Sequence, residues 1–173
     1  MVTESGLGLT WSGNSQQNRL TPWKNDPLSD APSEVIYMRD EDSGARWTPT
    51  ALPIREQDAH RARHSQGYSV YEHSSHALSQ ELTVFVPLAS ENGDGDRVKV
   101  LRLRLRNESS RTRRLTATYF AELVLRNRRG NQQPNVRRNP ADASGAVLGC
   151  PTWYSTLPGT VSVAAAAPPP SPH

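Results

Sequence analysis

Three segments of this chain alternate side chains with a period of two, and no segment sustains the 3.6-residue period of an amphipathic helix. Leu82, Val84, Val86 and Leu88 alternate with Thr83, Phe85 and Pro87. Leu101, Leu103 and Leu105 alternate with Arg102, Arg104 and Arg106. Leu115, Ala117, Tyr119, Ala121, Leu123 and Leu125 share one phase, with Thr116, Thr118, Phe120, Glu122 and Val124 in the other. Successive side chains of an extended backbone point to opposite faces, so each segment offers one face to a core and one to water. The fold class that follows is all-β.

The pattern predicts antiparallel strands over residues 81–86, 97–106 and 114–125. Leu82, Val84, Val86, Leu101, Leu103, Leu105, Leu115, Tyr119 and Leu123 are expected to be buried. Val98 and Val100 lie in the opposite phase to Leu101, Leu103 and Leu105, which calls for a bulge or a stretch buried on both faces. The polar NESSRTRR between the second and third segments reads as the loop of an antiparallel hairpin. Shorter strands are expected over residues 35–39, 46–48 and 67–73, with one more near 159–163. DPLSDAPSE, DEDSG, ENGDGD and GNQQPN are turns, where glycine or asparagine supplies positive φ and proline locks φ at about −65°. Strands spaced by such turns point to an antiparallel β-sandwich. Residues 1–163 are expected to form it, incompletely, and the Ala/Pro-rich residues 164–173 to be disordered.

Composition removes several function classes. No apolar run approaches the roughly 20 residues needed to span a bilayer, and MVTESGLGLTW lacks the basic flank and apolar centre of a signal peptide. A cytoplasmic location is the expectation. The single cysteine, Cys150, permits no internal disulfide and no multi-cysteine zinc site. The formal net charge of +3 rests on arginine, with Arg102, Arg104 and Arg106 on one strand face and Arg111, Arg113 and Arg114 after it. Such a stripe could meet nucleic acid, but few aromatics interleave with it, and alternate arginines also solvate the outer face of a half-buried strand. No nucleic-acid partner is expected.

The polar segment ESGLGLTWSGNSQQNRLTPWKNDPLSD concentrates Trp11, Asn14, Asn18, Arg19, Trp23, Asn25 and Asp26 with few aliphatics. Indoles stack on the apolar face of a pyranose, and amides, guanidinium and carboxylate take its hydroxyls. These seven are the candidate sugar-binding residues; the same composition also suits a surface loop, and Arg19 could instead anchor Asp26 or Asp30. Other chemistry is weaker. His73 and His76 beside Glu72 suggest a metal, but residues i and i+3 of a strand face opposite ways and cannot converge without a turn. Asp40, Glu41 and Asp42 fall short of a calcium loop's spacing and suit a turn. ENGDGD lacks the lysine and helix of a phosphate loop, and no nucleophile constellation is legible around Ser74, Ser75 and His76. No catalytic residue, metal or cofactor is expected.

ESGLGLTWSGNSQQNRLTPWKNDPLSD, EVIYMRDEDSGARWTPTALPIRE, YSVYEHSSHALSQELTVFVPL and VKVLRLRLRNESSRTRRLTATYFAELVL together resemble the N-terminal β-sandwich of glycoside hydrolase family 94, formerly glycosyltransferase family 36. The likeness is greatest to the copy in the C-terminal part of cyclic β-1,2-glucan synthases, and it runs nearly continuously from Glu4 to Leu125. It implies a galactose mutarotase-like supersandwich that, in the family, precedes a helical linker and an α/α-barrel holding the catalytic acid and the phosphate site. There phosphate attacks the anomeric carbon with inversion, in the place an activated water has in inverting hydrolysis. The resemblance implies a β-glucan oligosaccharide and the barrel of a parent protein as partners, with a homodimer possible in that parent. It also implies a fragment opening within the motif, an accessory to catalysis and inactive alone. The alternative is a structural or subunit-interface sandwich.

Overall fold

The computed structural model describes residues 1–11, 14–16, 19–22, 28, 31–88 and 98–124, with the backbone of 135–138, 147–150 and 162–164. Its elements are β1 (Glu34–Asp40), β2 (Arg46–Trp47), β3 (His60–Ser65), β4 (Tyr68–Ser75), β5 (Leu78–Phe85), β6 (Val100–Asn107), β7 (Leu115–Ala121), β8 (Asn135–Arg138), β9 (Val147–Cys150) and β10 (Ser162–Ala164). Two compact units divide them: Met1–Leu9 with Trp23–Ala121, and Thr10–Pro22 with Glu122–His173.

The first unit holds two antiparallel sheets, in the orders β2-β1-β7 and β3-β4-β5-β6. Their inner faces meet in a core of Leu7, Ile36, Met38, Trp47, Tyr71, Leu78, Leu82 and Val84. Strict alternation builds it: in β5, Leu78, Gln80, Leu82 and Val84 are buried and their neighbours are not. In β4, Ser69, Tyr71, His73 and Ser75 face inward. Tyr71 lies opposite Leu82, and Leu82 opposite Leu103, so the inward rows of β4, β5 and β6 run side by side. Burying such side chains contributes about 25 cal/mol per Å² of apolar surface. Met1–Leu9 lies against this core: Leu7 is buried, and the Tyr71 hydroxyl donates to the Thr3 carbonyl at 2.6 Å.

The expected alternation holds in β5 and the first half of β6 but not in β7, whose residues 116–120 are all exposed, and the expected hairpin does not form. β6 pairs with β5 and β7 with β1, so the two long strands belong to different sheets. Seven residues, 108–114, carry the chain across, and the arginines within them draw it over: Arg113 pairs with Asp40 at the end of β1 and Arg114 with Asp42. The expected bulge is absent as well. The β5–β6 ladder runs unbroken from Phe85↔Val100 to Leu78↔Asn107, and the phase change falls where β6 begins. Lys99, just before it, reaches the buried Glu34 at 2.6 Å.

Leu82 and Val84 are buried as expected, and Leu101, Leu103 and Leu115 pack against the core. Val86, Leu105 and Tyr119 are exposed. Val86 lies just past the end of β5, while Leu105 and Tyr119 sit on β6 and β7, each the last strand of its sheet among the described residues. Tyr119 turns its hydroxyl to Glu34 at 3.0 Å; burial of that end and the carboxylate charge push the phenol pKa upward. β3 was not legible because HRARHS carries no aliphatic row. The strand expected near 159–163 is β10, which pairs with β9 in the sheet of order β10-β9-β8 in the second unit. Among the described residues no helix is long and apolar enough to cross a membrane.

Candidate functional site

Residues 10–11 run alongside residues 19–21 in the opposite direction. The Leu20 amide donates to the Thr10 carbonyl at 2.9 Å, the Thr10 amide to the Thr21 hydroxyl at 2.9 Å, and Trp11 faces Arg19 across an antiparallel bridge. Buried Thr21 fixes the base. At the other end the Asn14 carboxamide oxygen accepts the Gln16 amide hydrogen at 2.8 Å, a local turn that asparagine makes readily. Trp11 is 38% exposed, an unusual position for a side chain of its size. The hairpin thus brings Trp11 and Arg19 side by side and sets Asn14 beyond them. Arg19 spends its Nε on the Ser15 carbonyl at 2.6 Å, which orients the guanidinium. Asn18, Trp23, Asn25 and Asp26, and with them the alternative anchors Asp26 and Asp30, lie outside the described residues.

A second polar cluster occupies one end of the sandwich core. His73, buried on β4, places Nε2 2.7 Å from Glu56 Oε2 and Nδ1 3.2 Å from the Ala59 carbonyl. His76 Nε2 meets the other Glu56 oxygen at 2.7 Å, and the Ser75 hydroxyl donates to Oε2 at 3.2 Å. His60, opposite His73 in the β3–β4 ladder, stacks on it with centroids 3.7 Å apart and planes 8° apart. Trp47 stacks on His76 at 4.4 Å and donates its indole N–H to Gln80 Oε1 at 2.8 Å.

Sequence reasoning paired His73 and His76 with the wrong carboxylate. Glu72 faces away and takes Arg63 at 2.7 Å. The histidines do converge, because the two-residue turn that ends β4 swings His76 round. His76 and Ala77 both have positive φ, 51° and 56°, the geometry of a tight hairpin without its usual glycine. Glu56, His60 and His73 each bring a ligand atom within 4.8 Å of the others. A metal bond lies along an imidazole lone pair in the ring plane, however, and one ion cannot lie in two stacked parallel planes at bonding distance.

Electrostatics separates the groups. Burial opposes charge on Glu56, but the hydrogen bonds from His73, His76 and Ser75 outweigh it and hold the carboxyl below its usual range. Burial and the neighbouring His73 push the His60 pKa down. At the β1–β2 turn, burial again opposes the charge on Asp40; the Asp42 amide, Arg113 and the Ser43 amide win and lower its pKa to about 2. The acidic run DED is therefore the expected turn. Arg111, Arg113 and Arg114 are spent on Asp40 and Asp42, and Arg104 approaches Glu81, which removes much of the basic stripe from any anionic partner.

A family model described as the glycosyl hydrolase 94 supersandwich domain matches residues 1–166. The chain is 34% identical over 161 residues to the cyclic beta-(1,2)-glucan synthase NdvB of Rhizobium meliloti (strain 1021), covering 91% of this chain and 5% of that protein. It is 23% identical over 125 residues to an N,N'-diacetylchitobiose phosphorylase of Vibrio proteolyticus, covering 70% of this chain and 15% of the relative. A Vibrio furnissii protein of the same name is also 23% identical, over 162 residues, covering 90% of this chain and 20% of the relative. The chain thus spans from one twentieth to one fifth of the length of these relatives.

Proposed function

The chain belongs to the glycosyl hydrolase 94 supersandwich family, and from that premise we propose that it is an accessory sandwich of a glucan-processing protein whose Trp11–Arg19 hairpin meets the sugar. The observation that carries this reading is the exposed indole of Trp11, held beside Arg19 on a hairpin whose base is fixed by buried Thr21. A ring that contributes little to a core and is held in place offers a stacking face at small entropic cost. Arg19, oriented through Ser15, presents its remaining N–H groups to hydroxyls.

The names of the relatives support a carbohydrate as the ligand class: a β-1,2-glucan for one, a chitobiose for the others. The greater identity to the glucan synthase favours a β-1,2-linked glucan. The parent's α/α-barrel would supply the catalytic acid and most sugar contacts, with this sandwich covering one side. Half a site binds weakly, so isolated chain should bind β-1,2-gluco-oligosaccharides at about millimolar strength, roughly 4 kcal/mol. Titrating oligosaccharide into the chain while following amide shifts tests this. Movement confined to the hairpin and lost in Trp11→Ala supports the reading. No movement at tens of millimolar sugar, or movement unaffected by Trp11→Ala, leaves the structural sandwich as the function. The chain alone should release no phosphate from glucose 1-phosphate and a glucose acceptor.

A further inference from the structure

Both ring nitrogens of His73 face oxygen. The Ala59 carbonyl can only accept, so Nδ1 carries a hydrogen; the 2.7 Å contact between Nε2 and Glu56 needs one more proton between them. The side chain of His73 is wholly shut off from solvent, so its ring cannot turn to water instead. His60 Nε2 is buried on the other side of the stack and has no hydrogen-bond partner among the described residues. A second proton on that ring would put a buried charge on a ring whose centroid lies 3.7 Å from that of His73.

We propose that Glu56, His73 and His76 form an acid-sensitive latch: the Glu56 carboxylate, bonded to His73, His76 and Ser75, fastens the loop of residues 48–59 to the turn that ends β4, and acid opens it. Every neighbouring element is tied to this point. The loop supplies Glu56, and its Leu52 amide donates to the Ser5 carbonyl at 2.9 Å, so the loop also braces the N-terminal segment. β3 supplies His60, β4 supplies His73, and β5 supplies Gln80, whose amide reaches Ser75 at 3.4 Å. β2 supplies the Trp47 ring over His76, and Arg113, paired with Asp40, holds the His76 carbonyl at 2.8 Å. Glu56 is therefore the single side chain that joins the loop to two histidines and a serine.

The direction follows from the two lowered groups. For Glu56, stability is present above its unfolded value and lost as pH falls through the lower folded one. For His60, the folded state resists the proton that the unfolded chain accepts, so stability falls as pH drops below the ordinary imidazole value of 6.5. Acid acts on both in the same sense.

The test uses the 173-residue chain. Nitrogen NMR of the imidazoles at neutral pH should show His60 neutral. Amide exchange of residues 48–59, corrected for the intrinsic rate, should quicken by about tenfold between about pH 7 and about pH 3.5, with little change at β5. Glu56→Gln should leave only the upper part of that dependence, which His60 gives, and His60→Phe, which keeps a stacked ring, should leave only the lower part, which Glu56 gives. A charged His60 at neutral pH overturns the proposal, as does a pH dependence unchanged in either variant. Stoichiometric zinc binding that shifts the rings of His60 and His73 together would overturn it in favour of a metal site.

Discussion

Two tryptophans divide this molecule. Trp47 is 0% exposed: its ring is covered by His76, its N–H is taken by Gln80, and it sits between the sheets. Trp11 is 38% exposed on a hairpin held by a few backbone bonds and one bridge. The same side chain is a structural centre in one region and a presented surface in the other. The difference lies in what surrounds each. Around Trp47, β strands bring polar groups inward and satisfy them; around Trp11, the flanking residues are amides, hydroxyls and glycines that cannot build a core.

The largest expected effect lies at Trp47. Trp47→Ala removes a buried ring and leaves Gln80 and His76 without their partner, a loss of about 3–5 kcal/mol. Chemical denaturation should show a chain largely unfolded in water or stable only with added osmolyte. An ordinary transition at the wild-type midpoint would erase the contrast between the two tryptophans.

Next is Asp40. Its carboxyl, at about 2, is lowered from 3.8, so its contribution is full above the unfolded value and is lost as pH falls from about 4 through about 2. Asp40→Asn should destabilise the chain at neutral pH and flatten its acid unfolding in that window. Thermal midpoints measured from pH 2 to pH 5 in a Glu56→Gln background separate this from the latch, whose carboxylate loses its charge in the same acid range. An identical acid limb in the variant would mean that Arg113 holds the loop of residues 108–114 without needing the charge.

What was legible in the sequence divides along the same line. The period of two in β5 and β7 showed through because these rows are aliphatic or aromatic. β3 stayed hidden because its inward positions hold histidine and alanine, with no apolar row to show the period. The pairing of β6 with β5, and of β7 with β1, was not readable from either strand: alternation tells which face is buried and not which neighbour lies alongside. It was written in Asp40, Arg113 and Arg114, residues separated by some seventy positions. Trp11, Asn14 and Arg19 were singled out by composition, since an indole among amides and a guanidinium is conspicuous in a segment with few aliphatics. Glu56 was missed because nothing in its local sequence marks it; only the turn at His76 brings the histidines to it.

That turn gives a smaller and opposite effect. Ala77 holds φ at 56°, a left-handed conformation that L residues with a Cβ adopt reluctantly. Ala77→Gly relieves it at a position whose geometry glycine favours, and should stabilise the chain by about 0.5–1 kcal/mol. A raised midpoint with an unchanged denaturant slope would confirm that the strain is real and is held in place by the Glu56 and Arg113 contacts on His76. A destabilised variant would mean that the Ala77 methyl is worth more to the turn than its strain costs.

The smallest effect on stability, and the sharpest on function, is expected at Trp11. Removing a ring that packs little should change unfolding by no more than about 0.5 kcal/mol, as surface substitutions generally do. The same Trp11→Ala change should abolish the oligosaccharide-induced shifts in the hairpin, because a stacked sugar face has no substitute among the amides beside it. Arg19→Lys refines the test. Lysine keeps the charge but cannot hold the Ser15 carbonyl and still present a planar fork to hydroxyls, so binding should weaken several-fold with stability intact. If instead Trp11→Ala destabilises the chain as Trp47→Ala does, the two tryptophans are alike, and the hairpin is part of the scaffold rather than a surface for sugar.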